Sequence, residues 1–443
     1  MSTTLPPGTP GAGTGMQSPA PSGGAAPADA RLPAAASDGT VTGGSVQPRR
    51  ERLLSLDVFR GMTVAGMLLV NNPGSWGAIH PPLAHAKWHG WTPTDLIFPF
   101  FLFIAGITTH LSLGARAARG DDRGALVRQV VRRGALIFLF GLFLSWFPGW
   151  QWGTIRDLPD PTFWERVAYR LEHLRIMGVL QRIGLAYLVA GLVVVFVRSL
   201  KAQVVLAASI LFGYWWAMTA LPVPGTGYLG QLVLDQPGAT LDAWIDRAIL
   251  TPGHMWAGGG GRFDPEGLFS TLPAAVTALL GVFAGRWIGD GRPIHERLSG
   301  LYAAGALGMM LGLMWHWVFP INKSLWTSSY VLFAGGMACT VLATCMWIID
   351  VHGRSGWTRP FVVYGVNPMV AFVGSGLMAR LIYSMIKVDY AGETISLQAA
   401  VYRGVYLPWL SPVNASLAFA LSFVAFWLGI LWVLWRRGIV LKV

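Results

Sequence analysis

The chain has 443 residues, 53% of them hydrophobic and 12% charged, with 33 Lys and Arg against 21 Asp and Glu for a net charge of +12. Soluble domains carry about a quarter charged residues, so this composition excludes a soluble globular protein, and it lacks the charge of a disordered chain or the repeat of a fibrous one. The basic residues fall in short loops beside apolar runs, where membrane topology accounts for them better than nucleic acid.

Residues 1–48 are rich in Pro, Gly, Ala, Ser and Thr and hold no large apolar cluster. Such a segment cannot bury enough surface to offset its ordering entropy, and it reads as a disordered cytoplasmic tail. It has no basic start followed by an apolar core, so it is not a signal peptide. The remainder, 49–443, reads as one transmembrane domain. Apolar runs of about 17–25 residues recur there, each long enough to cross a hydrocarbon layer ~30 Å thick. They are expected near 54–72, 95–114, 133–149, 176–198, 202–220, 267–288, 299–319, 327–350, 360–386 and 412–435. Long runs broken by polar loops make helices, since backbone groups in lipid must bond within their own segment. The fold class is all-α, a polytopic bundle of about ten spans.

Orientation follows from the bases. Clusters such as Arg49, Arg50 and Arg52, then Arg116 to Arg133, then Arg286, Arg292 and Arg297, then Arg436 and Arg437 alternate with long loops that carry few. Basic short loops stay inside, so both termini are expected in the cytoplasm of a multi-pass protein. Trp76, Trp88, Trp91, Trp150, Trp152, Trp256 and Trp326 crowd the opposite boundary. There the loops 73–94, 150–175 and 221–266 are expected to form a periplasmic cap over a polar substrate. Cys339 and Cys345 lie six apart on one helix, point to different faces and cannot bridge, and no metal site follows from them.

In chain order, the first polar cluster is Ser55 to Gly61. Asp57 and Arg60 stand three apart and share a helical face. They either lock the first helix as an ion pair or set Arg60 beside a phosphorylated ligand from the cytoplasm. Asn71 ends that helix, where it either caps it or faces a site. His85 and His89 follow in the Trp-rich loop, and either imidazole can act as base, nucleophile or proton carrier. Asp95 opens the second helix, as an N-terminal cap or as a partner that fixes a histidine tautomer. Gln181 and Arg182 sit too deep to be free in lipid. They bond the bundle together or line a channel. His254, Asp264 and Glu266 in the long outer loop offer acceptors for a cationic group or are solvated loop residues. Lys323 stands at an outer helix end, and Asn367 is expected in mid-membrane facing the bundle. The basic loop from Arg116 to Arg133 suits either topology or the binding of phosphates.

Seven blocks then resemble one family: SLDVFRG, the VNN turn, HAKWHGWTPTDLIFPFFLFIAG, RIMGVLQRIGLAY, DPEGLFSTLPA, FPINKSLWTSSYVL and YGVNPMV. In this order they are similar to the heparan-α-glucosaminide N-acetyltransferase family, bacterial members above all, from about residue 51 to the C-terminus. Met177 departs from the proline common at that place. The resemblance implies transfer of acetyl from cytoplasmic acetyl-CoA to the amine of an amino sugar or related glycan on the outer face. It places the catalytic histidine at His85, not His89, with Asn71 working beside it; beside that pair, Asp95 and Asp57 are expected in support. Arg60, Gln181, Arg182 and Asn367 become expected coenzyme contacts, and His254, Asp264, Glu266 and Lys323 expected acceptor contacts. It also implies a homodimer in a bacterial inner membrane, with no metal and no nucleic acid. An amino-sugar transporter of the same fold is the competing reading, weakened by the absence of visible inverted halves. A scaffold or sensor without turnover leaves the Asn71 and His85 region unexplained.

Overall fold

Every long apolar run whose placement is described folds as a helix. A computed structural model of the chain describes residues 53–155 and 158–441, so the 1–48 segment lies outside the described residues. Helices follow one another as α1 Leu54–Asn71, α2 Ile97–Thr109, α3 Ala115–Ala118, α4 Arg123–Trp146, α5 Phe163–Glu172, α6 Val179–Phe196, α7 Leu200–Ala220 and α8 Leu241–Leu250. After them come α9 Thr271–Gly289, α10 Ile294–His316, α11 Ser328–Met346, α12 Arg359–Val366, α13 Pro368–Arg380, α14 Leu397–Val401 and α15 Pro412–Arg436. A small antiparallel hairpin, β1 Lys387–Tyr390 with β2 Glu393–Ser396, pairs Lys387 with Ser396 and Tyr390 with Glu393.

Among the described residues nine helical segments are long and apolar enough to cross a membrane, so the protein is a multi-pass membrane protein. The tenth run, expected at 133–149, belongs to α4, which starts ten residues earlier. Arg123, Arg128, Arg132 and Arg133 on its first turns keep it outside that apolar class. The Asp122 side chain starts it, accepting from the amides of Gly124 at 3.2 Å and Ala125 at 2.8 Å. Such a cap satisfies donors that the helix itself cannot.

The run expected as one span over 360–386 is instead two helices, α12 and α13, broken at Asn367. Pro368 offers no amide hydrogen and disfavours helical geometry in the residue before it, and Asn367 leaves the helix with φ −123° and ψ 57°. The break is closed by the Asn367 side chain, which donates to Ile439 O and accepts from Leu441 N, both at 2.9 Å.

The centre of the bundle is the crossing of α2 with α9. A Cβ on Gly106 would lie 1.9 Å from Ala278 O, and one on Gly281 would lie 1.9 Å from Phe103 O. Only glycine permits that approach, and small residues at such crossings let helices pack by contact where lipid provides no hydrophobic drive. Leu102, Phe103, Ile107, Ala278 and Leu279 are buried around it. At the end of the bundle where Asn71 lies, the long loops pack on each other. Trp88 donates to Leu234 O at 2.8 Å and meets Phe263 edge-on, with Val233, Leu234 and Leu325 buried in the same cluster.

Candidate active site

The segment between α1 and α2 carries His85 and His89, and their partners differ. His89 is occupied on both sides: Asn322 donates to its Nδ1 at 3.2 Å, and its Nε2 meets Asp235 at 2.7 Å. It ties loop to loop. His85 has its Nδ1 2.7 Å from Asp95 Oδ1, and its side chain is 43% exposed. A carboxylate on Nδ1 fixes the tautomer with the proton there and leaves Nε2 as the acceptor.

Asp95 does this from a rigid seat. Thr92, Pro93 and Asp95 form a capping box at the short helical turn Pro93–Leu96 that leads into α2. Asp95 Oδ2 accepts from Thr92 N and Ala86 N, each at 3.0 Å, while Oδ1 faces the imidazole. The side chain is 1% exposed, and Tyr330 from α11 donates to the backbone oxygen of the same residue. Cap and histidine partner, alternatives in the sequence, are one carboxylate using two oxygens.

Lys323 enters from the loop before α11. Its Nζ lies 3.1 Å and 3.3 Å from the two ring nitrogens of His85 and 3.8 Å from Asp95 Oδ1. Burial pushes its ammonium below the usual lysine range, against the opposing pull of Glu266 and Asp95. Glu266 stands close by, and its carboxyl is subject to the same burial. Arg175, Arg182 and Lys323 outweigh that effect and hold it below the usual carboxylate range.

These groups share a cavity open to solvent, with Asn71, His85, Glu266 and Lys323 on its polar wall and Val70, Phe98, Phe101, Val179, Ile183 and Phe372 among its apolar contacts. Asn71 and its neighbour divide the work at the end of α1. Asn72 is the residue that closes the helix, donating to Leu68 O at 2.8 Å, whereas Asn71 is exposed and lines the cavity.

The remaining expected contacts are placed elsewhere. Arg60 donates to Asp57 at 3.1 Å and towards Gly365 O at 3.4 Å, tying α1 to α12. It stands eleven residues down α1 from Asn71, about 16 Å at the helical rise. Gln181 packs against Gly141 of α4. Arg182 is fully buried, donates to Gly267 O and Ser270 Oγ, and lies over the Trp326 ring at 5.1 Å. It bonds α6 to the segment that leads into α9. Asn367 is spent on the C-terminal backbone, as described above.

His254 is likewise internal to the loops, its Nδ1 against Leu174 O at 2.8 Å. Asp264 is gripped by Arg175 through both oxygens and accepts from Trp256 N at 2.9 Å. The same guanidinium reaches Glu266, so of the three expected acceptors only Glu266 lines the cavity. Arg175 was not singled out in the sequence; its place as the first residue of the RIMGVLQR block was the available signal. Behind it, Asp246 is buried against Gly267 and accepts from Leu268 N at 2.8 Å. Burial and Asp242 push its carboxyl up to about 7. Among the described residues no group of three or more His, Cys, Asp and Glu is placed to hold a metal ion.

Comparison with known proteins gives two concordant findings. Residues 52–304 match the family model described as heparan-alpha-glucosaminide N-acetyltransferase, catalytic. The chain is 30% identical over 371 residues to heparan-alpha-glucosaminide N-acetyltransferase of Homo sapiens, covering 73% of this chain and 52% of that protein. It is 30% identical over 369 residues to the protein of the same name from Mus musculus, covering 73% and 53%. The chain thus spans about half the length of the curated relatives it matches.

Proposed function

The chain belongs to the heparan-alpha-glucosaminide N-acetyltransferase family, and we propose that it moves acetyl from cytoplasmic acetyl-CoA to the amine of an amino sugar or related glycan at the outer face of a bacterial inner membrane. The observation that carries this is the Asp95–His85 pair at the mouth of a largely apolar cavity. Val70, Phe98, Phe101 and Phe372 suit a pantetheine arm and an acetyl group. Glu266 and the exposed face of His85 suit an amino sugar.

The amine attacks the thioester carbonyl as His85 Nε2 takes its proton, and a C–N bond forms. Asp95 holds the imidazole in the required tautomer and balances the charge it gains. The carbonyl oxygen becomes an oxyanion within reach of the Lys323 ammonium and the Asn71 amide, contacts worth ~3 kcal/mol when preorganised. Collapse breaks the C–S bond, and the departing thiolate receives the proton from His85. Direct attack is favoured over an acetyl-histidine, since a ring 43% exposed would lose its acetyl group to water.

The broken helix at Asn367 is the feature a transporter would use, but its side chain is committed to Ile439 and Leu441. The discriminating experiment supplies labelled acetyl-CoA and glucosamine to purified wild type and His85→Ala. Acetylglucosamine from wild type, reduced at least ~10³-fold in the variant, is expected for loss of the base together with its oriented pair. Vesicle uptake of glucosamine that survives His85→Ala, without product, would establish the transporter instead.

A further inference from the structure

A second cavity, of about 200 Å³, adjoins the first, and Met67, Asn71 and Phe372 belong to the walls of both. Its distinguishing residue is Arg380, at the end of α13. The Arg380 guanidinium carries five donors, and the protein uses one, Nη1 to Gly376 O at 3.0 Å in its own helix. Among the described residues no carboxylate stands within ion-pair distance of it. The charged side chain near enough to act on it is another cation, Arg170. Arg170 itself is spent on the carbonyls of Ser145, Trp146 and Phe147 at the end of α4.

A cation in a membrane-spanning segment without a counter-charge is expensive and marks a functional site. A guanidinium with unused donors on a cavity wall suits an anion, and it matches a phosphate through paired donors. The span that carries Arg380, Pro368–Met385, has 11% of its residues buried inside the protein, the lowest share of the nine candidate spans. Most of its other residues are half-buried.

We propose that the Arg380 cavity binds the phosphate of a phosphorylated amino sugar whose amine is presented across Asn71 to His85. This rests on the acetyl-transfer reading for the fate of the amine, but not for the binding of the phosphate. The phosphate belongs either to a soluble sugar phosphate or to a lipid-linked one, and the acceptors below distinguish the two.

The test uses the full chain in nanodiscs of zwitterionic lipid. Acceptors are glucosamine, glucosamine 1-phosphate and a polyprenyl-phosphate-linked glucosamine, with labelled acetyl-CoA as donor. In wild type both phosphorylated acceptors are expected to show lower KM than glucosamine, with the lipid-linked one lowest if that is the source of the phosphate. Arg380→Ala should raise KM for the phosphorylated acceptors ~10–100-fold with kcat and the KM for glucosamine unchanged, the loss expected for a charged hydrogen-bonding partner. Arg380→Lys should restore part of it.

Thermal stabilisation by glucosamine 1-phosphate without acetyl-CoA, present in wild type and absent in Arg380→Ala, reads the site independently of turnover. If that binding persists while no acceptor is acetylated, the phosphate site stands and the acetyl-transfer reading falls. Equal KM for glucosamine and glucosamine 1-phosphate in wild type, or an equal rise for both in Arg380→Ala, would overturn the proposal. So would an Arg380→Ala protein that loses co-purifying anionic phospholipid yet binds the sugar phosphate normally.

Discussion

Asp95 shows how one side chain serves structure and chemistry together, because a carboxylate has two oxygens and the backbone needs only one of them. Oδ2 takes the amides of Thr92 and Ala86, and Oδ1 takes His85 Nδ1. Asp95→Asn keeps an acceptor for those amides, so thermal stability should stay within a few degrees of wild type. Its new N–H group would face His85, force the proton to Nε2 and remove the base. We expect kcat to fall ~10²–10⁴-fold with little change in acceptor binding. A kcat within threefold of wild type would mean that the pair does not orient the base. The choice of His85 over His89, which the family resemblance implies, agrees with the same accounting of partners. Sequence position left the two equal, whereas Asp235 and Asn322 from distant loops occupy His89, and Asp95 and Lys323 stand beside His85.

Among the elements, α2 matters most, since the turn at its start carries Asp95 and its middle sets the distance to α9. The glycines at their crossing allow backbone contact on both sides, at Gly106 against Ala278 and at Gly281 against Phe103. Gly281→Ala places a methyl group where a carbonyl oxygen stands, and overpacking of this kind costs ~1–3 kcal/mol. The expected result is a lower melting temperature in detergent and a weaker acetyl-transfer rate, as α2 shifts and carries Asp95 away from His85. An unchanged melting temperature would show that the crossing is looser than these contacts require. Hydropathy located these helices but not the division of 360–386, where Asn367 and Pro368 interrupt an otherwise continuous apolar run. Nor did it find the early start of α4, whose basic first turns look like loop.

For the whole molecule, the charge asymmetry of the loops predicts that the His85 end faces outward. Cys339 and Cys345 are both buried, so the chain offers a low background for labelling. Thr154→Cys, exposed in the loop before α5, should react with an impermeant maleimide on intact cells, and Ser355→Cys, exposed before α12, should react only after lysis. The opposite pattern would reverse the proposed sidedness. Length, hydropathy and the spacing of bases by themselves determined a helical multi-pass membrane protein, because lipid leaves a spanning chain almost no other way to satisfy its backbone. The block HAKWHGWTPTD already held both His85 and Asp95, ten residues apart. Tertiary structure alone decided that Lys323 and Glu266 join them, that Arg175 takes Asp264 away, and that Arg60 and Asn367 are spent on backbone and ion-pair partners. Such pairings depend on which distant helix supplies a donor at ~3 Å, a relation that a local pattern of apolar and polar residues does not encode.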